Sequence, residues 1–203
     1  MAVKPQVGLL GGSFDPVHTA HIGLALAAIQ ALSLEQVQLL PAGLPWQKGQ
    51  LGASANDRLA MLRLASSPYP QLHINPIELQ RSGATYTIDT LTALPDSAQY
   101  TWIMGADQLA NFCNWHRWRD IIQYVRLAVA QRPGTTLTIP PSLEQLLPDE
   151  GLVRIPFPPQ DIAASTIRLA LAQGQTHIPE LDPLVLDYIH THQLYQQPSI
   201  PGA

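Results

Sequence analysis

The chain has 203 residues, 46% of them apolar and 13% charged, which suits one well-filled globular core and excludes disorder. A net charge of −4, with no run of like charge, excludes the basic stripe of a nucleic-acid-binding protein, so any phosphate is held by a few placed donors. The single cysteine, Cys113, excludes an internal disulfide and fits a reducing compartment. The start lacks a signal peptide and no segment reaches membrane-spanning length, so the expected address is the cytoplasm, with no membrane partner.

In chain order, "AVKPQVGLL" predicts a short buried strand ended by Gly11-Gly12. "HTAHIGLALAAIQALS" predicts a helix with Ile22, Leu26 and Ile29 at helical spacing. "EQVQLLPAG" predicts a second strand, closed by Pro41 and Gly43 and followed by the polar loop "LPWQKGQLGASAN". "NDRLAMLRLASS" predicts an amphipathic helix with Asn56 as its cap and Leu59, Leu62 and Leu64 inward. "LHINPIEL" is extended, and "YTIDTLTAL" is a helix capped near Thr85. "YTWIMGAD", "VRLAVAQRPG" and "LVRIPF" are further strands, while the Pro-rich residues 133–149 form a surface excursion. "STIRLALAQG" is a helix stopped by Gly174, and a last helix begins at Pro183. Apolar strands alternating with helices predict an α/β, Rossmann-like three-layer fold: a mostly parallel sheet with helices on both faces. One domain over residues 1–203 is expected, with residues 196–203 a frayed tail.

The stretch "GGSFDPVHTAH" carries the chemistry. Gly11-Gly12 lies at the carboxyl end of a parallel strand, where ligands of open sheets bind and where missing side chains let a ligand approach the backbone. The next helix directs its N-terminal amides at the same place, which suits phosphate. Pro16 turns the chain into that helix, and His18 and His21 share its first turn. Metal ligation is the competing reading, but H-x-x-H lacks the spacing and the glutamate of H-E-x-x-H, and no further ligands stand nearby. Core packing is the other, set against their place at the helix start. No metal site is expected in the protein.

The same stretch resembles the G-x-F-D-P-x-H-x-x-H signature of the nucleotidyltransferase superfamily. That resemblance implies α/β enzymes moving a nucleotidyl group from a nucleoside triphosphate to a phosphate or alcohol. The superfamily's late I-S-S-T-x-I-R matches "IAASTIR", Ile162 to Arg168, with Ala163 and Ala164 where serines are usual. Ser165 can lie at a helix N-terminus, and Arg168 can hold phosphates bidentately; a capped helix with a surface arginine is the plain alternative. "ATYTIDTL", "IMGADQLANFCNWHRWRDI" and "LAVAQRPG" together resemble bacterial nicotinate-nucleotide adenylyltransferases over nearly the whole chain. The family's P-P-H-[KR] reads "PWQK" here, keeping the cation at Lys48 but putting Gln47 where histidine is frequent.

The resemblance implies transfer of AMP from ATP to nicotinate mononucleotide, giving deamido-NAD and pyrophosphate. ATP would be bound by Gly11, Gly12, Ser13, Phe14, His18, His21, Lys48, Gly105, Asp107, Ser165 and Arg168, with His18, His21, Lys48 and Arg168 acting in catalysis. The mononucleotide would meet Tyr86, Thr87, Asp107, Trp115 and Arg132, with Trp115 stacked on the pyridine ring. Tyr86 and Thr87 stand at a helix start, whose amides favour nicotinate's carboxylate over nicotinamide. Asp107 has a bland alternative as a helix cap, Trp115 as core and Arg132 as a solvated loop charge. Asp15, the only acid in the first loop, is read as structural. Mg²⁺ would arrive with ATP rather than on a protein ligand cluster. Two other functions stay open, a pantetheine-phosphate adenylyltransferase and a non-catalytic ATP-binding module, and the oligomeric state is left open too.

Overall fold

The apolar run after Pro5 forms strand β1 (Gln6–Gly12), which occupies the middle of the sheet. The computed structural model describes residues 4–45, 51–131, 134, 136–158, 160 and 162–196. Helix α1 (Thr19–Leu32) leads to β2 (Gln36–Pro41), which pairs parallel with β1 from Val7 opposite Gln36 to Gly12 opposite Pro41. A two-residue strand β3 (Leu44–Pro45), helix α2 (Ala55–Ser66) and strand β4 (Leu72–Ile74) follow. Then come β5 (Ala84–Thr85), α3 (Thr87–Ala93) and β6 (Gln99–Gly105), which pairs with the other side of β1. Helix α4 (Ala106–Ala110), a 3₁₀ turn at Phe112–Asn114 and α5 (Trp118–Tyr124) lead into β7 (Val125–Gln131). The chain continues through α6 (Pro141–Glu144), β8 (Leu152–Pro156), α7 (Ala164–Ala172) and α8 (Pro183–Thr191).

Six strands form one sheet in the order β4-β2-β1-β6-β7-β8, with every pairing parallel. The order runs outward one way from β1 and then the other way from β6, so the switch point lies between them, where ligands bind in doubly wound sheets. Alternate residues of each strand feed opposite cores, as the two-residue period requires. Leu10, Ile103, Ala128 and Ile155 face one core, with Ile22 of α1, Met61 of α2, Ile167 of α7 and Val185 of α8. Leu9, Trp102, Leu127 and Val129 face the other, with Ile88 of α3 and Ile121 of α5. This is the three-layer Rossmann-like arrangement expected from the strand pattern.

Several local expectations are corrected. The cap of α2 is Ser54, whose hydroxyl accepts from the Asp57 N–H at 3.1 Å, and Asn56 lies inside the helix. Tyr86, not Thr85, is the N-cap of α3, because Thr85 is still paired in β5. The buried stripe of α1 is Ile22, Ala25 and Ala28 instead of a leucine/isoleucine row, since small residues let the helix lie close on the sheet. Pro16 lies just before α1, as expected of a residue that turns the chain into the helix, and its peptide with Asp15 is cis. The excursion after β7 carries the single helical turn α6, held down by the buried Leu143. The tail from Gln197 onward lies outside the described residues.

The small β3–β5 sheet pairs Leu44 with Ala84 and Pro45 with Thr85, and Leu44 N–H donates to Thr85 Oγ1 at 3.1 Å. Gly43 makes this junction possible, because a Cβ there would stand 2.5 Å from the Glu78 carbonyl oxygen and 3.0 Å from Thr85 Oγ1. Gly43→Ala is therefore expected to lower stability by about 1–3 kcal/mol, the usual cost of overpacking, read as a fall in Tm by calorimetry.

Candidate active site

A cleft of about 320 Å³ opens at the switch point. Gly11, Gly12 and Ser13 from the end of β1 form one wall, and Met104 and Gly105 from the end of β6 form the other. His21 of α1 enters it, and Thr85, Thr87 and Trp115 line its opposite part. The first motif and the segment from Thr85 onward, more than 60 residues apart in sequence, thus face one cavity. A second depression, about 300 Å³, runs along Thr166, Leu169 and Gln173 of α7 and takes in neither motif histidine, Ser165 nor Arg168. The motif residues gather at the switch-point cleft instead.

The histidine pair is built by the start of α1. His18 is the N-cap and His21 the third helical residue, and the rings stack with centroids 3.7 Å apart. The His18 N–H donates to His21 Nδ1 at 3.3 Å, which assigns the proton of neutral His21 to Nε2. Phe14 supports His21 edge-on at 5.0 Å. Its ring is wholly buried beneath the histidine. His18 is buried too, but at the helix end and against the cleft-lining His21.

All three glycines line the cleft, and packing also demands two of them. A Cβ on Gly11 would stand 2.9 Å from the Trp102 indole, and one on Gly12 would stand 3.2 Å from the Phe14 ring. Aromatic rings, not open space, occupy the room their side chains would need. At Gly105 a Cβ would meet nothing within 4 Å, so there the missing side chain does leave the cleft open.

Behind the first motif, Asp15 is 2% exposed and accepts from four sides. Its Oδ2 takes the Gly52 N–H at 2.8 Å, and its Oδ1 takes the Ala53 N–H at 3.0 Å and the Tyr195 hydroxyl at 2.8 Å. Arg168 Nη1 lies 3.8 Å from Oδ2 and donates to the Asp15 carbonyl at 2.7 Å. The late motif is thereby tied to the first one, with the Arg168 side chain still 36% exposed. Burial first, then the Asp15 charge, pushes the Tyr195 hydroxyl up, so it remains a donor. Ser165 is exposed in the first turn of α7, whose cap position is taken by Ala163, a residue with no oxygen to offer.

On the acceptor side, Trp115 is half-buried with Phe112 at 5.2 Å and Trp102 at 6.1 Å, and Trp118 lies in the core. Tyr86 packs on His116 at 4.5 Å, while Thr87 opens α3 and lines the cleft. Asp107 is exposed in the first turn of α4, directly after Gly105. Lys48, Gln47 and Arg132 lie outside the described residues.

Three residues escaped sequence reasoning. Arg58, 1% exposed on α2, donates to the Ser13 carbonyl at 2.7 Å and reaches the Gly43 carbonyl at 3.5 Å, joining the loops after β1 and β2. Burial lowers its pKa and the Asp15 charge opposes that. Tyr195 and Glu78 are the others, and nothing in their local sequence signals burial. An arginine on the apolar face of α2, in step with Met61 and Leu62, was the one available hint.

A cytidylyltransferase-like family model matches residues 9–170. A probable nicotinate-nucleotide adenylyltransferase of Bordetella avium is 52% identical over 193 residues, covering 94% of this chain and 98% of that protein. One of Laribacter hongkongensis is 43% identical over 219 residues, covering 98% and 99%. The chain belongs to the nicotinate-nucleotide adenylyltransferases, within the cytidylyltransferase-like family. A Plasmodium falciparum nicotinic acid mononucleotide adenylyltransferase complexed with NaAD superposes with a TM-score of 0.75, covering 94% of this chain and 97% of that one. At 20% identity, that likeness shows the shared fold.

Asp15→Asn keeps the size but exchanges one acceptor oxygen for a donor and removes the charge facing Arg168. A loss of about 2–4 kcal/mol is expected from a buried network left short of one acceptor. Tyr195→Phe, which deletes one hydrogen bond, should cost about 0.5–1.5 kcal/mol. Denaturant unfolding of the two variants checks the order; equal losses would contradict the central place of the carboxylate.

Proposed function

We propose that this adenylyltransferase moves AMP from ATP to nicotinate mononucleotide, releasing deamido-NAD and pyrophosphate in NAD biosynthesis. The observation that carries the reading is one cleft that receives His21 and the Gly11–Ser13 backbone from one side and Thr87 and Trp115 from the other. A triphosphate grip and an aromatic acceptor grip on one cavity suit the joining of two nucleotides. The chain is read as one nucleotidyltransferase domain, supported by one central sheet with a core on each face. The cytoplasm is the proposed address, given the lone cysteine and soluble substrates; among the described residues no helix is long and apolar enough to cross a membrane.

In the proposed mechanism a 5′-phosphate oxygen of the mononucleotide attacks the α-phosphorus, and the bond to the β-phosphate oxygen breaks. The nucleophile is already anionic, so no general base is required, and the protein contributes positioning and charge stabilisation. His18 contacts the α-phosphate; His21, Ser165, Arg168 and Lys48 spread over the triphosphate, with Gly11, Gly12, Ser13 and Gly105 as backbone walls. Asp107 holds ribose or phosphate oxygens beside α4, Trp115 stacks on the pyridine, and Arg132 takes the mononucleotide phosphate. The Tyr86–Thr87 amides at the start of α3 receive the nicotinate carboxylate. Mg²⁺ would arrive with ATP, bound by phosphate oxygens and water, and would there offset the charge of the triphosphate.

His18→Ala should lower kcat roughly 10²–10³-fold, as loss of one oxyanion donor does, with little change in Tm. Near-normal turnover by the folded variant overturns the role of His18. Pyrophosphate release with ATP and each acceptor in turn tests the reaction: nicotinate mononucleotide should give the higher kcat/KM than the nicotinamide form. Preferred turnover of phosphopantetheine would transfer the assignment to that acceptor, and no release with any of them would leave an ATP-binding module.

A further inference from the structure

The cleft contains a carboxyl group that the reaction as set out leaves without a part. Glu78, in the turn after β4, is 6% exposed and lines the cleft beside Thr85 and Thr87. It is the only acidic side chain among the described lining residues. Its position is fixed twice. The Glu78 carbonyl packs against Gly43, as the 2.5 Å approach of a Cβ there would show, and Glu78 Oε1 accepts from Thr90 Oγ1 at 2.8 Å.

Among the described residues no cation touches the carboxyl directly. Arg81, in the same turn, donates to Thr90 Oγ1 at 3.0 Å and to the Asp89 carbonyl at 2.9 Å, so its charge reaches Glu78 through the threonine. The other charged or titratable groups around it are Asp89 on α3, Arg58 of α2 behind Gly43, and His21 of α1 across the cleft. Burial pushes the Glu78 carboxyl up to about 7, against the opposing pull of Thr90 and Arg81. The group therefore changes charge in the working pH range.

We propose that Glu78 is a specificity-determining residue of the acceptor site: neutral Glu78 admits the carboxylate of the pyridine ring, and ionised Glu78 repels it. This rests on the reading that Thr87 and its neighbours receive nicotinate mononucleotide. Glu78 stands on the same turn-and-helix unit that presents those amides and lines the same cleft, so its charge acts on a carboxylate bound there. The nicotinamide form has no carboxylate there and feels little of this charge. Dividing one substrate's kcat/KM by the other's cancels the titration of the shared 5′-phosphate and of both motif histidines.

The experiment measures kcat/KM of the full-length enzyme for nicotinate and nicotinamide mononucleotides between pH 6 and pH 8.5. The ratio should fall about 3–10-fold as pH rises, the size of a like-charge repulsion across about 4–6 Å at an effective dielectric of about 60–80, as in an open, hydrated cleft. In Glu78→Gln, which is neutral throughout, the ratio should stay level, with the change borne by KM for nicotinate mononucleotide. Thr90→Val removes the hydrogen bond that favours the ionised form, so the midpoint of the fall should move to higher pH. A level ratio in the wild type, an unaltered slope in Glu78→Gln, or an unmoved midpoint in Thr90→Val overturns the proposal. If neither mononucleotide yields pyrophosphate, the acceptor assignment falls and this proposal with it; a level ratio with both accepted overturns this proposal alone.

Discussion

The carboxylate of Asp15 joins four segments that are remote in sequence. The β1–α1 loop supplies it, the residues before α2 hang from it by two backbone N–H groups, and Tyr195 ties down the chain after α8. Arg168 brings in α7 through the neighbouring carbonyl. A buried carboxylate with that many donors is stable only while all of them stay in place, because each lost donor leaves a desolvated charge. The geometry of the phosphate-facing loop is therefore not a local property of "GGSFDPVHTAH". It depends on contacts 37 to 180 residues away.

Arg58 performs the complementary task from below. Its guanidinium donates to backbone carbonyls of the loops after β1 and β2, whose amides then remain directed elsewhere. A neutral side chain could not satisfy a carbonyl at that depth as strongly. The aromatic residues complete the arrangement: Trp102 fills the space beside Gly11, Phe14 that beside Gly12, and the stack from Phe14 through His21 to His18 fixes both imidazoles. The walls of the cleft are thus rigid on the β1 side and open at Gly105 on the β6 side.

What was legible in the sequence follows from the range of the forces involved. Strands β1, β2, β6 and β7 were legible because burial on both faces gives continuous apolar runs, and α1, α7 and α8 because Gly174, Pro183 and the residue period mark them. The motif residues were legible because glycine, proline and paired histidines have few other reasons to cluster. The two-residue strands β3 and β5 leave no period to detect, and α4 is a single short turn. Asn56 was misread as the cap because Ser54 and Asn56 are both capping types, and only the Ser54 hydroxyl reaches the Asp57 amide. That Trp102 and Phe14 pack against glycines 11 and 12 was not legible, since a sequence does not show which rings will stand beside them. Arg58, Glu78 and Tyr195 were missed for one reason: burial of a polar group is decided by tertiary partners, and its own residue type argues against it.

These buried groups also explain how a chain of net charge −4 can serve polyanionic substrates. The positive potential does not come from a surface patch but from an imbalance held inside the fold. Around the first motif one carboxylate, Asp15, is set against two guanidiniums, Arg58 and Arg168, so the local sum favours phosphate. At the other end the buried carboxyl of Glu78 has, among the described residues, an indirect cation, Arg81 acting through Thr90. The two ends of one cleft therefore differ in sign tendency without any large field between them. A triphosphate and a pyridine carboxylate are both anions, and under the proposed assignment they would be treated differently: the first would meet an excess of cations, the second amides beside a carboxyl that can hold a proton.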